Sequence, residues 1–173
     1  GWYRTKSQAT PILAKQSIIH GMGLSDDFEG STLGLQWTFW KEYAPEAVTL
    51  KNNTLALQAK GITPADGRLL LTTVTDKSYE TQVEVHTGNG NIAGLVLYYN
   101  EKAYAGIVSD GKHFILYKNA EQQQEIPHKF GRQVYLKIRN QGNRCTFLAS
   151  KDGSNWQTLA ENVDVSELHH NNY

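Results

Sequence analysis

The amino-acid sequence predicts an all-β fold, a sandwich of two antiparallel sheets preceded by an irregular linker. Three observations indicate this fold. From residue 47 onward the dominant pattern is an alternation of apolar and polar side chains with period two, which is typical of half-buried antiparallel strands. Turn signals separate the alternating segments, and no stretch shows a convincing amphipathic helical period. Short strands with regular turns favour a two-sheet sandwich.

The chain divides into an irregular start and a strand-rich remainder. Residues 1–23 show no strand or helix period and carry two apolar pairs, Ile12-Leu13 and Ile18-Ile19. Four exposed aliphatic side chains are costly on a soluble protein, so we expect this linker to lie against another surface. Residues 24–173 are expected to form the sandwich.

Two segments show the strand alternation most clearly. The segment YETQVEV (79–85) and the segment VYLKIR (134–139) each place apolar side chains on one face and mainly polar ones on the other. Further strand candidates are residues 54–60, 68–75, 91–99, 103–109, 113–118, 145–150 and 156–160. Tight turns are predicted at Asn52-Asn53, Asp76-Lys77, Gly88-Asn89-Gly90, Asp110-Gly111, Gln141-Gly142-Asn143 and Asp152-Gly153.

Composition excludes several classes of function. Lys and Arg number 17 and Asp and Glu also number 17, so no basic excess is available for nucleic acid or an anionic membrane. No apolar run approaches the roughly 20 residues that a membrane-spanning helix needs. Cys145 is the one cysteine, so no internal disulfide forms, and its place in an alternating strand predicts a small core residue.

An acidic cluster precedes an aromatic stretch in SDDFEGSTLGLQWTFW (25–40). Asp26, Asp27 and Glu29 are too close in sequence to form a convincing pair across a sugar ring, which needs carboxyl groups roughly 5 to 9.5 Å apart. A structural calcium ion is a second interpretation, although no calcium-loop motif is present. The favoured interpretation is a polar entry to the first strand, with these groups solvated or bonded to backbone.

The aromatic residues are expected to pack more often than to bind. Residues of one parity in this stretch are Leu33, Leu35, Trp37 and Phe39. If the stretch is an extended strand, residues of this parity share one face, which we expect to be the core face. Trp37 is then expected in the core, and Trp40 is expected on the opposite face of the strand. Tyr98 and Tyr99 must point to opposite sheet faces, so one is expected inside and one at the surface. Trp156 is expected to pack back over the Asp152-Gly153 turn.

Taken together, several segments resemble a known family. In order they are LSDDFEGSTLGLQWTFW, LALQAKG, SYETQVEV, AGLVLYYNEKAYAGIV and SKDGSNWQTL. They resemble the C-terminal β-sandwich of bacterial glycoside hydrolase family 43 enzymes, the β-xylosidase and α-L-arabinofuranosidase group. The resemblance covers roughly residues 24–168, and its first and fourth segments are the most specific.

The resemblance implies a concanavalin A-like fold and a catalytic site located elsewhere. Two Asp and one Glu of this family line a five-bladed β-propeller that precedes the sandwich, and no residue here matches them. The expected partners are that propeller and a plant polysaccharide, in a periplasmic or secreted enzyme, and no cofactor is expected. Residues 1–23 then include the end of a missing catalytic domain, and residues 24–173 lack the last strand, which leaves an open sheet edge.

The function expected from this resemblance is an accessory domain that supports the catalytic domain and shapes the rim of its active site. The alternative is an independent carbohydrate-binding module. An apolar linker favours docking over loose tethering, because flexible tethers are rich in polar residues. Candidate carbohydrate or interface residues are Trp40, Tyr99, Tyr104, His169, His170, Tyr173, Ile12 and Leu13.

Overall fold

Twelve strands and one 3₁₀ turn, Pro45–Ala47, form the regular structure of residues 24–169, which the computed structural model of the protein describes. The strands are β1 (Thr38–Phe39), β2 (Val48–Lys51), β3 (Thr54–Leu57), β4 (Leu70–Leu71), β5 (Ser78–His86), β6 (Ala93–Asn100), β7 (Ala103–Ser109), β8 (His113–Lys118), β9 (Glu121–Pro127), β10 (Gln133–Gln141), β11 (Arg144–Ser150) and β12 (Trp156–Asp164). Ile12, Leu13, His170 and Tyr173 lie outside the described residues.

Two four-stranded antiparallel sheets form the sandwich. The first sheet has the order β12-β11-β10-β5 and the second the order β6-β7-β8-β9. Two small antiparallel pairs lie in the segment before β5. Strands β2 and β3 form a hairpin, and β1 pairs with β4 across the intervening chain. The predicted all-β sandwich is confirmed. No helix in residues 24–169 has the length and hydrophobicity needed to span a membrane.

The main core lies between the two sheets. Val134, Leu136 and Ile138 of β10 are completely buried there, as the alternation of their segment predicts. Their partners across the sandwich include Leu97, Ile107, Phe114 and Leu116 of the second sheet. Burying this apolar area is the dominant favourable term for a domain of this size.

Cys145 is part of the same core and confirms its sequence interpretation. The side chain is completely inaccessible, and burial raises the pKa of the thiol to about 12. Its Sγ lies 3.4 Å from Oδ1 of Asn140 on the neighbouring strand. A thiol that stays protonated in a closed core is a packing residue without nucleophilic character.

The predicted strands and turns from β5 onward agree closely with the structure. Candidates 103–109 and 113–118 match β7 and β8 residue for residue. Asn52 and Asn53 both adopt positive φ, 52° and 57°, as a tight hairpin turn between β2 and β3 requires. Strand β9, with sequence EQQQEIP, carries no apolar alternation and was not predicted. It is an edge strand whose backbone pairs with β8 on one side, so its side chains are free to be polar.

The prediction that Trp37 is a core residue on an extended strand is wrong. The N–H of Trp37 donates to the carbonyl of Gly34, which closes a turn, and the β1 strand begins only at Thr38. Leu35, of the same parity, is 93% exposed. Period-two parity does not apply through a turn, so the shared parity of these residues carries no information on burial.

Residues 24–71, here called the covering segment, pack against the outer face of the second sheet. A second apolar cluster is centred there on Val96, Tyr104, Val108 and Tyr117, and Ala65 of the covering segment packs against it. The β6-β7 sheet is therefore apolar on both faces, with the first sheet on one side and an irregular segment on the other.

One end of the sandwich gathers several chain turns. The β6–β7 and β8–β9 turns lie at this end of the second sheet, and the β10–β11 turn lies at the matching end of the first. The side-chain amide of Asn119 in the β8–β9 turn donates to the carboxylate of Glu167, just after β12. This end, here called the exit end, is thus where the chain leaves the last described strand.

Candidate domain-interface site

Asp26 ties the start of the covering segment together. Its Oδ1 accepts the N–H of Phe28 at 2.8 Å, and its Oδ2 accepts Nε2 of Gln36 at 3.0 Å and Nε1 of Trp37 at 2.7 Å. The Trp37 ring also packs on Phe28, with centroids 5.8 Å apart. This carboxylate therefore fixes the chain entry to the fold, as the favoured interpretation expects of Asp26, and the interpretation of Asp27 and Glu29 stays a prediction.

Other aspartates of the described chain also hold turns through backbone N–H groups. Such acceptors are Asp66, Asp110, Asp152 and Asp164. Partial burial raises the pKa of Asp110, but hydrogen bonds from His113 and Lys112 outweigh it and lower the value to about 2. Hydrogen bonds from Asn155 likewise lower the pKa of Asp152. A glycosidase general acid needs a raised pKa, so these carboxylates are suited to structure and not to proton donation.

A row of aromatic rings runs across the outer face of the second sheet near the exit end. Trp40 packs edge-on against Tyr98 with centroids 5.2 Å apart, and Tyr98 stacks on Tyr104 at 5.7 Å. Tyr104 continues to Tyr117 at 5.6 Å. Two candidates from the sequence, Trp40 and Tyr104, are thus brought into one cluster, which joins the covering segment to the sheet.

The members of this row differ in how their polar atoms are satisfied. Tyr104 is 1% exposed, and its hydroxyl donates to the carbonyl of Ala120 at 3.3 Å. Nε1 of Trp40 and the hydroxyl of Tyr98 are buried without a hydrogen-bond partner in the described chain. Burial, with a smaller contribution from Tyr104, raises the pKa of Tyr98 to about 12. Unpaired buried donors are uncommon and costly, so this contact holds mainly by ring packing.

Tyr99 and His169 also lie toward the exit end but outside the aromatic row. Tyr99 is 39% exposed, whereas Tyr98 packs into the outer cluster, so the predicted division of this pair is confirmed. A bulge in the β6–β7 pairing follows Tyr98. His169 is partly buried, and its N–H donates to the carbonyl of Glu167 at 2.9 Å.

Two surface clefts of the described chain are not lined by these candidates. One, of about 400 Å³, opens between β8–β9 and β11–β12 and is lined by residues such as Lys118, Phe147 and Asp164. The other, of about 410 Å³, lies at the opposite end between the Gly88–Ile92 and Asp110–Lys112 loops. Neither cleft is lined by Trp40, Tyr99, Tyr104 or His169, so the structure does not join the sequence candidates into a ligand cavity.

Trp156 packs differently from the prediction. Instead of covering the Asp152-Gly153 turn, its ring lies under Nζ of Lys137, 4.1 Å from the centroid. Lys137 is 9% exposed and its Nζ also lies 2.8 Å from Glu80. The residue beside Gly153 is Tyr135. This contact of a cation with an aromatic face reaches across β11, which lies between β10 and β12, and it was not visible in the local sequence because it depends on the register of all three strands.

Three exposed apolar residues were missed as interface candidates. Leu35, Tyr43 and Ile62 are 93%, 82% and 81% exposed. All three belong to the covering segment. Their exposure depends on turns, which the alternation pattern does not report.

Comparisons with known proteins agree with this architecture. The family model for the beta xylosidase C-terminal concanavalin A-like domain matches residues 25–172. A search of curated protein sequences gave no match. Among solved structures, the family 43 protein BlXynB from Bacillus licheniformis is 22% identical with a TM-score of 0.70, over 83% of this chain and 31% of that chain.

Two further structures show the same fold. Xylan beta-1,4-xylosidase from Bacillus halodurans C-125 is 21% identical with a TM-score of 0.70, over 85% of this chain and 32% of that chain. The Bacteroides ovatus protein GH43B of a xyloglucan locus is 22% identical with a TM-score of 0.66, over 82% of this chain and 32% of that chain. The chain spans about a third of the length of these solved proteins.

The fold therefore defines an all-β domain of the concanavalin A-like class. Within that class, the chain belongs to the family of C-terminal concanavalin A-like domains of β-xylosidases, in glycoside hydrolase family 43. This confirms the family that the sequence resembles.

Proposed function

We propose that the chain is the non-catalytic accessory domain of a family 43 glycoside hydrolase that acts on xylan- or arabinoxylan-type polysaccharide. In this role the domain supports a five-bladed β-propeller that precedes it and helps to shape the rim of the active site. The parent enzyme is proposed to be a β-xylosidase or α-L-arabinofuranosidase, in the periplasm or secreted.

The observation that carries this proposal is the use of the carboxylates. Asp66, Asp110, Asp152 and Asp164 accept backbone N–H groups in turns, and each has a lowered pKa. Asp26 is bonded to Gln36 and Trp37. Glycoside cleavage needs one carboxyl group that keeps its proton near neutral pH and a second one placed across the sugar. The arrangement of these groups instead suits a domain that supports catalysis performed elsewhere.

The exit end supports a role at the rim. Described groups at this end include Glu101, Asn119 and His169, and the chain continues from there into residues 170–173. Glu101 forms an ion pair with Lys41 of the covering segment. Polar side chains held on short turns of a rigid sandwich are well placed to contribute to a neighbouring domain's pocket. His169, His170 and Tyr173 are the residues we propose for this contribution.

Activity assays test the non-catalytic role. The purified chain should not hydrolyse aryl xylosides or arabinofuranosides. Turnover by the chain that is abolished by Asp27→Ala would overturn the proposal, because it would place a catalytic carboxylate inside this domain.

Titration calorimetry separates the alternative, an independent carbohydrate-binding module. The purified chain is titrated with xylo-oligosaccharides, and a supporting domain should release no binding heat. Trp156 is the aromatic best placed for a sugar on the open face of the first sheet, but Lys137 already covers one side of its ring. Saturable binding that is lost in Trp156→Ala and kept in Tyr99→Ala would favour the module instead.

A further inference from the structure

Large apolar side chains are exposed in one region of the described chain. Leu35, Tyr43 and Ile62 are each more than four-fifths exposed, whereas Tyr99, the other exposed large apolar residue of residues 24–169, is 39% exposed. All three belong to the covering segment. We call them together the outer-loop surface. Monomeric proteins tolerate single exposed apolar residues, but Tyr43 and Ile62 stand on two loops that the Glu42–Lys60 ion pair brings together, and large apolar side chains exposed on adjoining loops indicate a contact surface.

Ile62 is exposed on a turn that the protein holds firmly. The N–H of Ile62 donates to both carboxylate oxygens of Asp66 at 3.2 Å, and the N–H and hydroxyl of Thr63 donate to Oδ1 at 2.8 and 2.6 Å. Gly61 opens the turn with φ of 71°, and a Cβ there would lie 2.4 Å from the carbonyl oxygen of Asp66. The exposure of Ile62 is therefore built into the turn, which presents the side chain in a fixed position.

Tyr43 is held in a comparable way. Its ring packs edge-on against Phe39 with centroids 5.7 Å apart. The next residue, Ala44, is 3% exposed and leads into the Pro45–Ala47 turn. Tyr43 is thus an exposed aromatic group beside a buried chain neighbour, and tyrosine is among the residues enriched at protein interfaces.

An ion pair joins the two loops between Tyr43 and Ile62. Nζ of Lys60 lies 3.0 Å from Oε2 of Glu42. The hydrogen bond from Lys60 and its charge lower the pKa of Glu42, so the pair is ionised at neutral pH and its charges compensate each other. The ion pair therefore brings the two loops together without adding net charge to this part of the surface.

We infer that the outer-loop surface is the face by which this domain docks against the catalytic domain preceding it in the polypeptide. The inference rests on the proposed function and adds the contact surface to it. The matching solved proteins are about three times the length of the matched part, and the family is a C-terminal domain. The covering segment begins where the family match begins, so it is the part of the fold nearest in sequence to a preceding domain.

Hydroxyl-radical footprinting of the full-length enzyme tests this assignment. Each side chain's rate of oxidation in the folded enzyme is divided by its rate in the urea-unfolded enzyme. A docked surface predicts that Tyr43 and Ile62 react at least about fivefold more slowly than unfolded, because interface cores exclude water. A free surface predicts that Tyr43, 82% exposed here, reacts faster than Tyr99, 39% exposed; that result would overturn the inference.

A charge substitution supplies the second measurement. Tyr43→Asp with Ile62→Asp should restore fast oxidation at Leu35 and separate the two domains into independent unfolding transitions. Thr158→Asp, on an exposed position of β12 in the other sheet, is the matched control and should change neither. Protection that weakens as the enzyme is diluted would identify a second copy as the occupant and would also contradict the inference.

The two proposals fail in different ways. If the proposed function is wrong, the isolated chain will bind sugar or show turnover, whatever the footprint shows. If only the docking inference is wrong, footprinting will show an exposed Tyr43 in the full-length enzyme. The isolated sandwich will then still neither bind nor cleave xylo-oligosaccharides.

Discussion

The two faces of the β6-β7-β8-β9 sheet are both apolar, but they are covered in different ways. On the inner face, Leu97, Ile107 and Phe114 meet the regular rows of β10 and β11. On the outer face, the rings of Tyr98, Tyr104 and Tyr117 meet the irregular covering segment. The inner face packs the alternating side chains of one sheet against those of the other, whereas the outer face packs large rings against an irregular segment.

The difference extends to unsatisfied and exposed groups. The inner core contains Cys145, Leu136 and Phe147 with at most 1% exposure. The outer contact leaves Nε1 of Trp40 and the hydroxyl of Tyr98 buried and unpaired, and the same segment exposes Leu35, Tyr43 and Ile62. We expect the inner face to carry the stability of the domain and the outer face to carry its contacts with other parts of the enzyme.

The largest expected effect is at the inner face. Leu136→Ala removes a completely buried side chain between the sheets and should destabilise the chain by about 2 to 5 kcal/mol, from lost transfer energy and the cavity left behind. Leu57 is partly buried in the β2–β3 hairpin of the covering segment, and Leu57→Ala should lower the free energy of unfolding clearly less than Leu136→Ala does. Urea unfolding of both variants measures the difference. Equal losses would show that the covering segment is as closely packed as the sandwich.

A smaller effect is expected at the chain entry. Trp37→Phe keeps an aromatic ring beside Phe28 but removes the Nε1 donor to Asp26, which should destabilise the chain by roughly 1.5 to 3 kcal/mol, as for one hydrogen bond to a charged group. A double-mutant cycle with Asp26→Asn measures the coupling between the two side chains. If the two losses of unfolding free energy are additive, the hydrogen bond contributes nothing to stability. A loss above about 3 kcal/mol for Trp37→Phe would instead indicate that Trp37 is a core residue.

These two regions also show what the sequence could and could not predict. Alternation correctly assigned Val134, Leu136 and Ile138 to the core, because each residue's environment follows from its neighbours two positions away. It failed at Leu35 and Trp37, where a turn interrupts the period. It also missed β9, whose polar edge strand has no buried face to mark it.

The candidate site was predictable only in part. Trp40 and Tyr104 were chosen as single aromatics, but their common cluster depends on residue 40 meeting Tyr98, nearly sixty positions later. Cation–ring and ring–ring contacts of this kind follow from strand register, which local sequence does not specify. The family resemblance correctly supplied the fold, since it rests on several segments in a fixed order.

The inner face should also carry a pH dependence. His128 stacks on Phe114 at 3.9 Å, its Nδ1 accepts the N–H of Phe130, and its Nε2 lies 3.2 Å from Oγ of Ser109. Burial lowers the pKa of His128 below 6.5, and His113 lowers it further while Asp110 opposes. Because a neutral ring is needed to accept from Phe130, the folded state binds this proton less readily than the unfolded chain.

The sign of the pH effect follows from that difference. Stability from His128 is fully present above pH 6.5, falls as the pH drops below 6.5, and is lost once the pH passes the lowered folded value. His128→Gln should flatten the dependence of the free energy of unfolding on pH over this range. The contribution of Asp110, whose pKa is about 2, is lost only at lower pH and does not interfere. An unchanged slope in His128→Gln would remove His128 as the cause.

The smallest expected effect on stability is at the outer-loop surface. In the purified chain, Leu35→Ser should change the free energy of unfolding by no more than about 0.5 kcal/mol, because a side chain 93% exposed has little packing to lose. The same change in the full-length enzyme should weaken the joint unfolding of the two domains if Leu35 becomes buried there. The contrast between the two measurements is therefore more informative than either alone. A large loss in the purified chain would mean that Leu35 packs against this domain itself, and the division between a stabilising inner face and a contact-forming outer face would then be wrong.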